Sequence, residues 1–188
     1  MQLLAYMLLW FSCFSSFAWA TRRHFRNSGA YTGGMRLTLW LGTFFALLQA
    51  GAIASGMRSA AALALYAASL ALFWWTIAAT RGKGFGACYA SLSSLALVTT
   101  GPYRWVRHPF YCSYLLAWIA GMFLHPALVV APLAMYALYR RAAVDEETQL
   151  AGGPFGEEYR KYMRGAGRFF ISFSSDKRAR YRDSGAAL

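Results

Sequence analysis

Residues 3–20, 37–54 and 60–80 are almost uninterrupted apolar blocks, each close to the ~20 residues a helix needs to cross a bilayer. Lipid offers backbone amides no hydrogen-bond partner, so a chain of this kind crosses as helices that satisfy their own backbone. Two shorter blocks, 111–124 and 127–143, flank His125-Pro126. With 58% hydrophobic and only 14% charged residues, against about 25% charge in an average soluble domain, disorder, a collagen-like repeat and an ordinary soluble enzyme are excluded. The expected fold is all-α. It is a polytopic membrane protein of about five transmembrane helices, the last two forming a short hairpin, with a cytoplasmic C-terminal segment.

The net charge of +12 would suggest nucleic acid in a soluble domain, but its distribution gives a membrane explanation. With the N-terminus outside and the C-terminus inside, every Lys and Arg except Arg58 falls on the cytoplasmic side, as the positive-inside rule requires. The expected location is an integral membrane protein, with a bacterial inner membrane favoured by the Arg- and Ala-rich composition. Ala18-Trp19-Ala20 mimics a signal-peptidase site, yet no cation precedes the block and Arg22, Arg23 and Arg26 follow it, so a retained anchor is expected. Small residues around Gly51, Ala52, Ala54 and Ala60 to Ala64 suggest close helix packing. The glycines at 82–86 lack the Gly-Lys-Ser/Thr ending of a phosphate loop and read as a turn. Cys13, Cys88 and Cys112 have neither disulfide nor metal spacing, and no metal is expected. Three regions follow: a transmembrane scaffold (1–93), a core with two short spans (94–171) and a basic tail (172–188).

Two segments carry chemistry. In the first, Gly101-Pro102 forces a turn, and Pro109 suits the first turn of the fourth helix. Arg107 and His108 then sit at that helix's N-terminus, whose amides and dipole suit an anion. In the second, the seven acidic residues all follow the last apolar block: Asp145, Glu146, Glu147, Glu157, Glu158, Asp176 and Asp183. A hairpin of the last two spans would bring Glu146 near His108. By composition, that makes a site for a charged small molecule beside lipid.

The strings LVTTGPYRWVRHPFY (97–111), DEETQL (145–150) and FGEEYRKY (155–162) resemble the isoprenylcysteine carboxyl methyltransferase family and its phospholipid N-methyltransferase relatives. The resemblance covers about residues 94 to 170. It implies S-adenosyl-L-methionine as methyl donor, held at the cytoplasmic face. The implied cofactor contacts are Ala96, Leu97, Val98, Tyr103, Arg107, His108, Pro109, Phe110, Tyr111 and Glu146, with Glu147 as the other member of the acidic pair. Arg141 is implied in substrate binding; no catalytic base is assigned. The expected partners are a lipophilic substrate from the bilayer and membrane lipids, without nucleic acid.

Three positions depart from the family pattern. Ser113 stands where glycine is usual, Gly152-Gly153-Pro154 includes one extra residue, and Arg141 precedes Glu146 by five residues rather than four. A competing reading is an NADPH-dependent sterol- or enone-type reductase, since the Arg-His-Pro element occurs there too. Another is a non-catalytic subunit with a decayed site.

Overall fold

The computed structural model describes residues 2–24, 33–81 and 97–171. Ala96, Cys88, the glycine-rich stretch at 82–86 and the tail from 172 lie outside the described residues. The described chain is helical: α1 (Gln2–Arg23), α2 (Gly33–Ala54), α3 (Ala60–Thr80), α4 (Pro109–Leu124), α5 (Val130–Gly152) and α6 (Gly156–Gly165).

The helix ends follow from local chemistry. After α2, Gly56 adopts a positive φ of 90°. Its N–H donates to Ile53 O, and that of Met57 to Ala52 O, the paired bonds of a Schellman ending. Pro109 opens α4, where a missing N–H costs nothing. At the other end His125 is extended, as a residue before proline prefers. Pro126–Val129 then forms one 3-10 turn leading into α5.

Among the described residues, four stretches are long and apolar enough to cross a membrane: Gln2–Arg23, Gly33–Ala54, Ala60–Thr80 and Pro126–Gly152. α4, with 16 residues, spans about 24 Å and is the most enclosed of the six helices, packed chiefly on α3 and α5. The expected hairpin of two short spans is therefore half right. Its second arm is α5, 23 residues long. The apolar pattern stops near Ala143, but Arg140 to Leu150 is rich in good helix formers, so the helix runs on into the polar region. The acidic triplet lies inside α5 rather than beyond it.

Of the small residues expected to allow close packing, Ala62 is fully buried in one cluster with Ala117 and Ala120, and Ala52 packs against it. Gly51 faces open space, and Ala54, Ala60, Ala61 and Ala64 are exposed. Close approach is also made by Ser69 and Ser113, both fully buried. Ser69 Oγ donates to Ser113 O at 2.7 Å. Deeper in the bundle, buried Gln49 accepts from Tyr66 O–H at 2.6 Å and donates to Ala117 O at 3.3 Å. A polar side chain satisfied across helices in this way contributes about 0.6 kcal/mol per bond in a bilayer.

α6 buries Tyr159 and Tyr162 and exposes Glu157, Glu158, Arg160 and Lys161. The chain after it folds back as a strap along the loop before α4. Arg107 N donates to Gly167 O at 2.7 Å, His108 N to Arg168 O at 3.2 Å, and Gly167 N to Trp105 O at 3.3 Å. This strap positions the site.

Candidate cofactor and substrate cleft

The turn before α4 depends on Gly101, whose φ is +61°. A Cβ there would lie 2.9 Å from that of Ala79, so only glycine lets the loop lie this close to α3. The loop carries Tyr103, whose carbonyl accepts from Tyr162 O–H at 2.6 Å. It then delivers Arg107 and His108 to the start of α4.

There the first segment meets α5. His108 is buried, with Nε2 3.1 Å from Glu147 Oε1 and Nδ1 3.4 Å from Glu146 Oε2. Burial pushes the imidazolium pKa down, but the hydrogen bonds and charges of the two carboxylates outweigh it, and the net shift is upward. With an N–H on each nitrogen, the protonated ring donates to both. Tyr111 O–H donates to Glu146 Oε1.

The neighbouring carboxylate is locked. Glu147 accepts from Arg107 Nε at 3.0 Å and from Arg168 Nε and Nη2 at 3.0 and 2.7 Å, a two-pronged Arg–carboxylate pair. Arg107 also donates through Nη1 to Ala166 O at 2.7 Å and Met163 O at 3.0 Å, capping the last carbonyls of α6. The expectation that Arg107 stands ready for an anion needs correction. The guanidinium is engaged by Glu147 and α6, and the Arg107 and His108 amides by the strap.

Beside this cluster lies a cleft of about 400 Å³. Leu97, Val98, Tyr103, Arg107, His108, Phe110, Tyr111 and Glu146 line it, and Pro109, Glu147 and Arg141 do not. From α5 the lining residues are Met135, Tyr139, Glu146 and Leu150, a stripe with helical spacing. Arg141 is off that stripe. It is exposed and faces an outer groove with Asp145, Thr148 and Gln149, while the position four before Glu146 is the buried Ala142.

Away from the charges the cleft is apolar. Phe14, Phe17 and Trp118 enclose it with Gly42 and Ala46. Leu39, Thr43 and Leu47 of α2 line it and are also exposed on the bundle surface, so the cleft opens sideways toward lipid. Tyr111 stacks on Tyr139 with ring centroids 5.0 Å apart. Trp118 Nε1 donates to Tyr139 Oη at 3.1 Å.

The sequence departures fall outside the cleft. Ser113 Oγ donates to Phe110 O within α4, at the α3 contact, and Gly152, Gly153 and Pro154 form the α5–α6 joint. Sequence reasoning missed Arg168 altogether, because its partner is 21 residues away across a strap with no local signature. It also missed the contribution of α1 and α2, whose cleft residues look like ordinary lipid-facing positions.

Bilayer-length helices around a cleft that is charged at its mouth and apolar along its side define an integral membrane protein. The family model for the isoprenylcysteine carboxyl methyltransferase (ICMT) family matches residues 60–152, and this match supports placing the chain with that family of membrane methyltransferases. No curated protein and no solved structure matches it.

Proposed function

We propose that this protein transfers a methyl group from S-adenosyl-L-methionine to a lipophilic acceptor drawn from the bilayer. The observation that carries this is the cleft's two-ended character, with Glu146, His108 and tyrosines at one end and an apolar, laterally open chamber at the other. The donor set fits the methyl donor. Glu146 can accept from an ammonium or ribose hydroxyls, a charge-assisted bond worth about 1.5–3 kcal/mol. Tyr103, Phe110 and Tyr111 offer ring faces to adenine or a sulfonium, worth about 0.5–2 kcal/mol each. The bound donor supplies an activated methyl group.

The protein's own part is positioning and exclusion of water. His108 and Tyr111 aim the Glu146 carboxylate, and the apolar walls keep the reacting end dry. Glu147 acts through His108, as a positioning residue. Leu97 and Val98 belong to the mouth of the cleft, and Pro109 sets the start of α4. Arg141, implied by resemblance as a substrate contact, faces the outer groove and is not proposed for that role. The charge asymmetry supports a cytoplasmic mouth, a cytoplasmic C-terminus and an external N-terminus.

The test is transfer of labelled methyl from S-adenosylmethionine into an organic-extractable product, using the reconstituted protein and a total lipid extract. Label in the lipid phase that Glu146→Gln lowers at least tenfold supports the reading. No label with any lipophilic acceptor contradicts it.

A further inference from the structure

The outer groove that Arg141 faces lies between the start of α2 and the outer face of α5, and holds about 660 Å³. Its α5 wall sits about a third of a turn round the helix from the stripe that lines the cleft. The groove shares no lining residue with the cleft, so a ligand there is independent of methyl transfer.

The wall is graded. Followed along α5 away from its apolar part, it presents the half-buried Leu138, then Arg141, then Asp145, then Thr148 and Gln149. Across the groove, Leu37 stands beside Leu138 as the apolar contribution of α2, and the first residues of that helix are glycines. A Cβ on Gly33 would meet nothing within 4 Å, so the polar end is open. Arg141 and Asp145 are both exposed, and neither forms an ion pair with any described residue. They are one turn apart, but a cation preceding an acid is the weaker order for such a pair. Both charges are available to a ligand.

Apolar, cationic, anionic is the order of parts in a zwitterionic phospholipid lying in its leaflet: acyl chain, phosphate, ammonium. A guanidinium matches phosphate with two parallel bonds. The Asp145 carboxylate, the Gln149 carbonyl and the Thr148 hydroxyl oxygen, whose own proton goes to Val144 O at 2.8 Å, are three acceptors for the three N–H bonds of a primary ammonium. A quaternary ammonium offers none, and Asp145 repels a headgroup that is only anionic.

We propose that this groove binds one phospholipid with an ethanolamine-type headgroup, its phosphate on Arg141, its ammonium on Asp145 and a chain against Leu37 and Leu138. Headgroup recognition by a charged pocket between membrane helices has this form. The bound lipid bridges α2 and α5, which both wall the cleft.

The experiment is native mass spectrometry of the full chain in detergent, titrated with dioctanoyl phosphatidylethanolamine, dioctanoyl phosphatidylglycerol or inorganic phosphate. One ethanolamine lipid should bind, about tenfold or more tightly than the glycerol lipid. Arg141→Gln should weaken it at least tenfold, and Asp145→Asn should cancel the preference between the two lipids. Gly33→Trp, which fills the open end without changing charge, should weaken the ethanolamine lipid as well. All three positions are exposed, so each variant should melt with the unaltered protein in lipid-free detergent. Equal binding of the two lipids by the unaltered protein overturns the proposal. So does ethanolamine-lipid binding that survives Arg141→Gln, which would place the lipid elsewhere. Inorganic phosphate bound as tightly as the lipid overturns it too, by showing an anion site with no part for the chain.

Discussion

Glu146 and Glu147 are adjacent on α5 and hold opposite nitrogens of one imidazole: Glu146 Oε2 lies 3.4 Å from His108 Nδ1, and Glu147 Oε1 3.1 Å from Nε2. Only Glu146 reaches the cleft. Glu147, 3% exposed, is shared with Arg107 and Arg168. The two carboxylates therefore have separable roles.

Substituting Glu146→Gln should weaken S-adenosylhomocysteine binding by about 10- to 100-fold, the equivalent of a lost charge-assisted bond, with a smaller fall in melting temperature than Glu147→Gln. Glu147→Gln should weaken binding less and lower the melting temperature more. It leaves two guanidinium groups short of a partner, and breaking such a pair costs about 3–5 kcal/mol. Calorimetry and thermal melts on both variants check the pair.

The His108 shift sets a pH dependence. Its pKa is raised in the folded protein, so the protonated ring favours folding. That contribution is complete below the ordinary histidine value of about 6.5 and is lost as pH rises through the higher folded value. The melting temperature of the unaltered protein should therefore fall toward that of His108→Gln as pH is raised from 6 to 9. A gap that widens over this range contradicts the assignment.

Arg168→Ala should loosen the strap. The amides of Arg107, His108 and Gly167 should exchange with deuterium faster, at least tenfold for a loss of about 1.4 kcal/mol. Arg168→Lys keeps the charge but not the fork, and should recover part of the protection.

Enlarging Gly42 probes the apolar end. Alanine fits, since its Cβ makes ordinary contact with Trp118. Leucine would project into the chamber. Gly42→Leu should abolish uptake of a lipophilic acceptor, measured by methyl incorporation, while S-adenosylhomocysteine still binds.

Much of this was legible in the sequence. The bounds of α3 agree with the apolar block at 60–80, because Ser59 and Arg81 flank it sharply. The approach of Glu146 to His108 followed from one assumption, a hairpin at His125-Pro126. The end of α5 was not legible, because hydropathy reports where lipid stops and not where a helix stops. The direction of Arg141 was lost for a related reason. One residue turns a helix by about 100°, so a spacing of five rather than four moves a side chain from the buried position of Ala142 to the outer groove. Arg168 could not be read because its role exists only once the strap has folded back.

The central claim is that the cleft holds the methyl donor against His108 and Glu146. The most direct measurement is calorimetric titration of the detergent-purified protein with S-adenosylhomocysteine, with NADPH as the parallel titrant. Saturable S-adenosylhomocysteine binding that His108→Ala abolishes is the predicted result. Binding of NADPH alone, or of neither by a well-folded sample, would contradict it.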